Sequence, residues 1–278
     1  MPLVSSKDML LKAAREGYAV GAFNIENMEI AQAVIEGAVE MNAPVMIQTT
    51  SGTLQYAPPE VFYGMVKALA DRVSVPIALH LDHGSGLELV QRCRDAGYTS
   101  LMIDGSKLPF EDNVDITCKA VAMAGDIPVE AELGTVGGKE DGMEGGIQYT
   151  DPAKAAEFVQ RTGLSSLAVA IGTAHGVYKG EPRLNIDLLA SIHAATPVPL
   201  VLHGSSGVPD AQIGACIANG ISKVNYATDL RIAYTDAVRA WLAGNSGFDP
   251  KGYGKAAREA VRAVVRDRIA LTGSKGKA

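Results

Sequence analysis

Short apolar runs rich in β-branched residues recur along the chain, with amphipathic stretches between them. The runs fall at Tyr18–Phe23, Pro44–Thr49, Pro76–Asp82, Ser100–Asp104, Pro128–Leu133, Ser166–Ile171, Pro199–His203 and Lys223–Ala227. Each has the length and residue types of a buried parallel strand. Apolar residues return every three or four positions over Met28–Met41, Pro59–Asp71, Leu87–Ala96, Phe110–Ala124, Asp151–Thr162, Ile186–Ala195, Asp210–Asn219 and Leu230–Ala243, which predicts helices there. Eight strands alternating with eight helices predict a closed (β/α)8 TIM barrel, a single domain over residues 1–278. The alternative is an open, doubly wound sheet. That fold would carry a glycine fingerprint after its first strand, where this chain has Asn24-Ile25-Glu26-Asn27.

Two segments break the rhythm. Gly134–Tyr149 follows the fifth predicted strand and Thr173–Asn185 the sixth. Both fall on the rim where barrel enzymes keep their chemistry, and the glycine-rich composition of the first reads as a mobile lid. The tail Gly273–Ala278 is small and basic, and reads as frayed or docked on a neighbouring subunit.

Composition narrows the function classes. The 278 residues are 47% hydrophobic with a formal net charge of −6. That balance argues against nucleic acid or an anionic membrane as the main partner. Cys93, Cys118 and Cys216 show no paired spacing, and no apolar run reaches the length of a membrane span. The first residues lack the basic start and long apolar stretch of a signal peptide, so the reading is a cytoplasmic enzyme without disulfides.

Three of the five histidines fall on one rim. His83 follows the third strand, His175 the sixth, and His203 ends the seventh. Three neutral imidazoles converging from separate strands, with a fourth position open, are the donor set of a catalytic Zn2+. His193 lies mid-helix and reads as surface, while His80, inside the third strand, reads as barrel filling. Asp82 precedes His83 and is placed to move a proton on a metal-bound substrate; support of the neighbouring histidine is its alternative role. Asp104 ends the fourth strand, and Glu130 and Glu132 alternate along the fifth, pointing inward. A second cation on Asp104 and Glu132, or a salt bridge to a lysine, would offset the cost of burying such acids. No lysine stands at the tip of the sixth strand and Lys223 opens the eighth at the opposite end, which disfavours an imine mechanism.

Loops after the last two strands are common phosphate sites in barrels. Here they read Gly204-Ser205-Ser206-Gly207 and Asn225-Tyr226-Ala227-Thr228, the second opening a helix. They suggest a pocket for a phosphate group.

Taken together, Leu79-His80-Leu81-Asp82-His83-Gly84, Val129-Glu130-Ala131-Glu132-Leu133-Gly134, Ala170-Ile171-Gly172-Thr173-Ala174-His175-Gly176 and Leu200-Val201-Leu202-His203-Gly204 resemble the class II fructose-bisphosphate and tagatose-bisphosphate aldolases. The likeness runs from Asn24 to Gly273-Ser274. It implies a zinc enzyme that cleaves a ketose 1,6-bisphosphate into dihydroxyacetone phosphate and an aldehyde. His83, His175 and His203 match the zinc ligands, Asp82 the catalytic acid/base, and Asp104 and Glu132 a peripheral cation position. Asn24, Gly176, Gly204, Ser205, Ser206, Asn225, Tyr226, Ala227 and Thr228 fall in the segments that hold substrate. Glu140 matches a proton-shuttling carboxylate, and Arg258, with Lys255 second, matches a basic residue that meets the second phosphate across a subunit contact. The resemblance further implies a homodimer or homotetramer. Two departures stand out: Gly204-Ser205-Ser206 replaces Gly-Ala-Ser or Gly-Gly-Thr, and Tyr226 stands where valine is common. Other readings are a related aldolase acting on another phosphorylated ketose or keto acid, a barrel metallohydrolase, or a non-catalytic subunit. The last two are disfavoured by the absence of His-x-His after the first strand and by the presence of all three histidines.

Overall fold

The computed structural model describes residues 3–140, 143–146, 148–178 and 180–278, with the side chains of residues 139, 140 and 143–145 outside that description. The strands are β1 (Val20–Asn24), β2 (Val45–Thr50), β3 (Ile77–Asp82), β4 (Leu101–Ile103), β5 (Val129–Leu133), β6 (Gly137–Glu140), β7 (Met143–Gly145), β8 (Ser166–Val169), β9 (Ala174–His175), β10 (Leu200–Leu202) and β11 (Ile221–Tyr226). Eight of them form one parallel sheet in the order β3-β2-β1-β11-β10-β8-β5-β4. A parallel bridge between His80 and Ser100 joins the two ends, with the Leu81 amide donating to the Ser100 carbonyl at 3.1 Å. The sheet is thereby closed into the predicted TIM barrel, with helices on its outside.

The eight predicted strands and helices are all present. Three helices were not legible in the periodicity: Ser6–Glu16, Ser51–Tyr56 and Pro250–Leu271. The first covers the N-terminal end of the barrel. The inward residues there, Val20, Ala22, Met46 and Ala78, are small or apolar and would meet water without it. Met9, Leu10 and Ala13 pack onto them as a separate apolar cluster. Ser5 caps this helix by accepting from the Lys7 amide, and Gly17 ends it in the left-handed conformation.

The long helix Pro250–Leu271 is capped by Asp249 and buries Ala257, Val261, Val265 and Ile269. It lies on the helix Met28–Met41, where Gly37 admits Val265. A β-carbon at Gly37 would sit 2.8 Å from Val265 Cγ1. The tail beyond it is docked on its own chain. The Gly276 amide donates to Met41 and that of Ala278 to Asn42, at 3.0 and 3.1 Å, and Lys277 pairs with Glu16 at 2.9 Å. Among the described residues, no helix is long and apolar enough to cross a membrane.

Leu10 is 2% exposed at the centre of the N-terminal plug. Leu10→Ala should lower the unfolding free energy by about 2–5 kcal/mol in a urea titration. Because the plug lies at the end of the barrel away from the candidate site, the Michaelis constant should not move.

Candidate active site

Side chains alternate in and out along each strand, so the strand tips deliver Asn24, Gln48, Asp82 and Asn225 to the barrel interior. They converge on Asp82. Its carboxylate accepts from Asn24 Nδ2 at 2.9 Å, Gln48 Nε2 at 3.1 Å and Asn225 Nδ2 at 3.1 Å. Gln48 also donates to Asn24 Oδ1 at 2.8 Å. Asp82 is 1% exposed. Three neutral amides fix such a carboxylate and aim it without a cation cancelling its charge. Asn24 and Asn225 thus orient Asp82 as well as lining the cavity.

His83 comes next and has φ +46°, in the left-handed region. A non-glycine residue there holds about 1–3 kcal/mol of local strain. Its Nδ1 lies 2.8 Å from Asp104 Oδ2. Burial alone would raise the Asp104 pKa, but the hydrogen bonds from His83 and Ser106 outweigh it and hold it well below the usual carboxylate range.

The three rim histidines do come together. Ring centroids are 5.1 Å apart for His83–His175, 4.6 Å for His83–His203 and 6.1 Å for His175–His203. One nitrogen from each lies within 4.8 Å of the others. His203 is fully buried and its Nε2 lies 2.9 Å from Glu130 Oε1. Its Nδ1 faces Glu132 Oε2 at 3.2 Å, yet neither atom makes a hydrogen bond of good geometry. His83 through Nδ1 and His203 through Nε2 each hydrogen-bond a carboxylate, the arrangement that orients the other nitrogen for a metal; for His203 that other nitrogen also lies beside Glu132. The residues present fit Zn2+ by donor type and convergence. Burial opposes charging of His203, but Glu130 and Glu132 outweigh it and raise its pKa to about 9. A cation entering here would displace a proton. His83, Asp104 and Glu132 form a second set of ligand atoms within the same 4.8 Å, sharing His83 with the first.

Beside His175 opens a cavity lined by Asn24, Asp82, Gly176, Gly204, Ser205, Ser206, Asn225, Ala227, Thr228 and Arg231. The helix Thr228–Gly244 starts at its wall, so the positive end of the helix dipole faces it. Ser206 Oγ accepts from the Asp229 amide at 3.3 Å, tying the two loops together. Tyr178 Oη accepts from the Ala174 amide at 2.7 Å and donates to the Gly204 carbonyl at 2.8 Å. Two glycines make the packing around His175 possible. A β-carbon at Gly138, φ +87°, would lie 2.1 Å from the His175 carbonyl oxygen, and one at Gly204, φ +62°, would lie 2.7 Å from the Ala174 backbone. Gly138 belongs to β6, which pairs in parallel with β9 in the register Gly138 to His175. Residues of the two rim loops are therefore hydrogen-bonded to each other, and β6 with β7 forms an antiparallel hairpin.

Comparisons with known proteins give the family of the chain. The family model "Fructose-bisphosphate aldolase class-II" matches residues 4–277. The chain belongs to that family. It is 44% identical over 287 residues to fructose-bisphosphate aldolases of Staphylococcus epidermidis and Staphylococcus aureus, covering 100% of each chain. The crystal structure of the YdjI aldolase from Escherichia coli K12 superimposes with a TM-score of 0.89 at 37% identity, over 99% of both chains. The fructose-bisphosphate aldolase of Campylobacter jejuni, at 23% identity and a TM-score of 0.87, shares the fold over 100% of this chain and 97% of its own. The protein is thus a class II aldolase, a carbon–carbon lyase built on a TIM barrel.

Within this aldolase, one residue expected at the substrate, Tyr226, lies elsewhere. Tyr226 is fully buried with its side chain in the main apolar core, outside the cavity. It stacks on Phe23 at 5.7 Å, and the Arg268 guanidinium lies 5.4 Å from its ring. Strand alternation explains it: Asn225 points in, so its neighbour points out. Its bulk therefore sets helix packing and leaves the sugar pocket untouched. Arg258 sits on the outer helices, donating to Gln32 at 3.1 Å and lying 3.7 Å from Glu36. Within one chain it does not reach the barrel mouth. The Glu140 side chain lies outside the described residues.

The sequence reading missed Gln48 and Arg231. Arg231 is the one cation lining the cavity and pairs with Glu26 at 2.5 Å. Its position one turn into the last barrel helix was the available signal. Lys223 was misplaced. It is the third residue of β11, is fully buried, and binds both Glu130 oxygens at 3.1 and 2.8 Å. His80 is more than filling: its Nδ1 meets Ser100 Oγ at 2.7 Å and its Nε2 meets Lys223 Nζ at 3.4 Å.

Burial, then the Lys223 charge, lower the His80 pKa from 6.5 to about 3. The unfolded chain takes up this proton near pH 6.5 and the folded chain does not, so stability is lost as pH falls from 6.5 towards 3, by about 1.4 kcal/mol per pH unit from this residue. Unfolding free energies of wild type and His80→Gln measured between pH 7 and pH 4 should show a shallower acid slope in the variant.

Proposed function

We propose that this aldolase is zinc-dependent and reversibly cleaves a ketose 1,6-bisphosphate, fructose or tagatose bisphosphate, to dihydroxyacetone phosphate and glyceraldehyde 3-phosphate. The observation that carries the reading is the convergence of His83, His175 and His203 beside the amide-held carboxylate of Asp82. His83, His175 and His203 would hold the zinc, and Asp104 and Glu132 with His83 a second cation. Bound there, zinc supplies a Lewis acid that stabilises negative charge growing on the substrate oxygens.

This chain's own residues do the rest. The backbone at the start of the helix Thr228–Gly244 and around Gly204–Ser206, with Gly176 and Arg231, holds the C1 phosphate, which leaves on dihydroxyacetone phosphate. Asp82, aimed by Asn24, Gln48 and Asn225, removes the proton from the C4 hydroxyl. The electron pair of that O–H bond forms the carbonyl of the leaving aldehyde as the C3–C4 bond breaks. Glu140 returns a proton to C3. In the reverse direction the same groups add the aldehyde. Arg258 of an adjoining copy meets the second phosphate in a homo-oligomer. The Staphylococcus relatives named for fructose bisphosphate favour that sugar over its C4 epimer.

Asp82→Ala should lower kcat by about 10²–10⁴-fold with zinc content unchanged, as measured by a coupled triose-phosphate assay and metal analysis. Dialysis against a chelator should abolish cleavage and added Zn2+ should restore it; full activity in the chelated protein would sink the metal reading. Arg231→Gln should raise the Michaelis constant about tenfold through loss of a charge-assisted hydrogen bond, with the larger effect on bisphosphate than on unphosphorylated ketose. Rates on a panel of fructose, tagatose and other ketose phosphates decide the sugar.

A further inference from the structure

Below the histidine cluster lies a second polar layer that the reaction as derived does not use. Lys223 Nζ lies 3.1 Å from Glu130 Oε1, 2.8 Å from Glu130 Oε2 and 3.4 Å from His80 Nε2. The same Oε1 lies 2.9 Å from His203 Nε2. Outward from the mouth the chain continues through His80 Nδ1 to Ser100 Oγ at 2.7 Å, which accepts from Ser6 Oγ at 2.8 Å. Lys223, His80, Glu130 and His203 are each 2% exposed or less. Ser166 Oγ adds a long contact to Glu130 Oε2 at 3.5 Å, and bulk water does not compete for these groups.

We propose that Lys223 is a positioning residue for the metal ligand His203, acting through Glu130, so that an ammonium buried in mid-barrel governs how tightly the mouth holds its zinc. The inference rests on the zinc reading above. A buried ion pair adds little net stability, and an apolar pair of like volume serves a fold as well. Here the oxygen that Lys223 grips also carries the His203 hydrogen bond. Releasing the carboxylate on one side releases the ring on the other, and with it the direction of Nδ1. Carboxylates that orient metal-bound histidines change metal affinity about 10–100-fold when disturbed. Lys223 grips such a carboxylate from behind. It touches no substrate, so it acts on the ligand's aim alone.

The test is zinc affinity, measured by competition with a chromogenic chelator, for wild type, Lys223→Met, Lys223→Met/Glu130→Gln and Ser100→Ala. Lys223→Met should weaken zinc binding about 10–100-fold. The double variant removes both charges at nearly constant volume, so it keeps the fold if the single variant does not. It should bind zinc about tenfold more weakly than wild type, because an amide is a poorer acceptor for the histidine N–H. Ser100→Ala breaks the same chain farther from the metal and should stay within about twofold of wild type. In Lys223→Met, raising free zinc should recover kcat with the Michaelis constant unchanged. Wild-type zinc affinity in the lysine variants, with only thermal stability lowered, overturns the proposal. So does an equal loss in Ser100→Ala. If wild type itself takes up no zinc, the metal reading falls and this inference falls with it, an outcome distinct from wild-type binding matched by the variants.

Discussion

The interior of this barrel has to accommodate carboxylates that water cannot reach, and the way it does so shapes everything at its mouth. Glu130 is matched by Lys223 and leans on His203. Burial by itself would keep Glu130 neutral, but the neighbouring ammonium outweighs it and holds the carboxyl well below its usual range. Asp82 is handled in another way, by three amides and no cation. The two solutions suit different tasks. A carboxylate matched by a full positive charge is neutralised in place, whereas one held by amide dipoles keeps its net charge. The barrel sets the two about one strand-layer apart, and strand alternation keeps them there.

The apolar lower end of the barrel has a separate role. Val20, Ala22, Met46 and Ala78 face inward below the polar layer, and the helix Ser6–Glu16 seals them from solvent. Ser6 of that helix also reaches up to Ser100, so the seal and the polar chain are tied at one point. The C-terminal helix and tail then tie the sequence ends back onto the helix Met28–Met41. Closure of the ring comes through backbone hydrogen bonds between β3 and the segment leading into β4, including the bridge between His80 and Ser100, residues that also belong to the polar chain.

Much of this was legible in the sequence. Strand and helix alternation is a strong periodic signal, and it places His83, His175 and His203 at strand ends whatever the details of packing. Family resemblance added Asn24, Gly176 and the serine loop, which the structure brings to one cavity. What the sequence withheld depends on direction more than position. Tyr226 and Asn225 are adjacent in sequence and face opposite ways, and only the register of β11 against β1 tells which is which. Lys223 and Glu130 are far apart in sequence, and their meeting needs barrel closure before it can be seen. The helices Ser6–Glu16 and Pro250–Leu271 lie outside the βα rhythm, so a search for that rhythm passes over them.

The pairing of β6 with β9 has a thermodynamic consequence. His175 offers a ring nitrogen to the histidine cluster and is also a rung of the ladder that holds the hairpin after β5. The pairing that places the hairpin therefore also restrains the backbone of His175, and any free energy by which ordering one favours ordering the other is reciprocal.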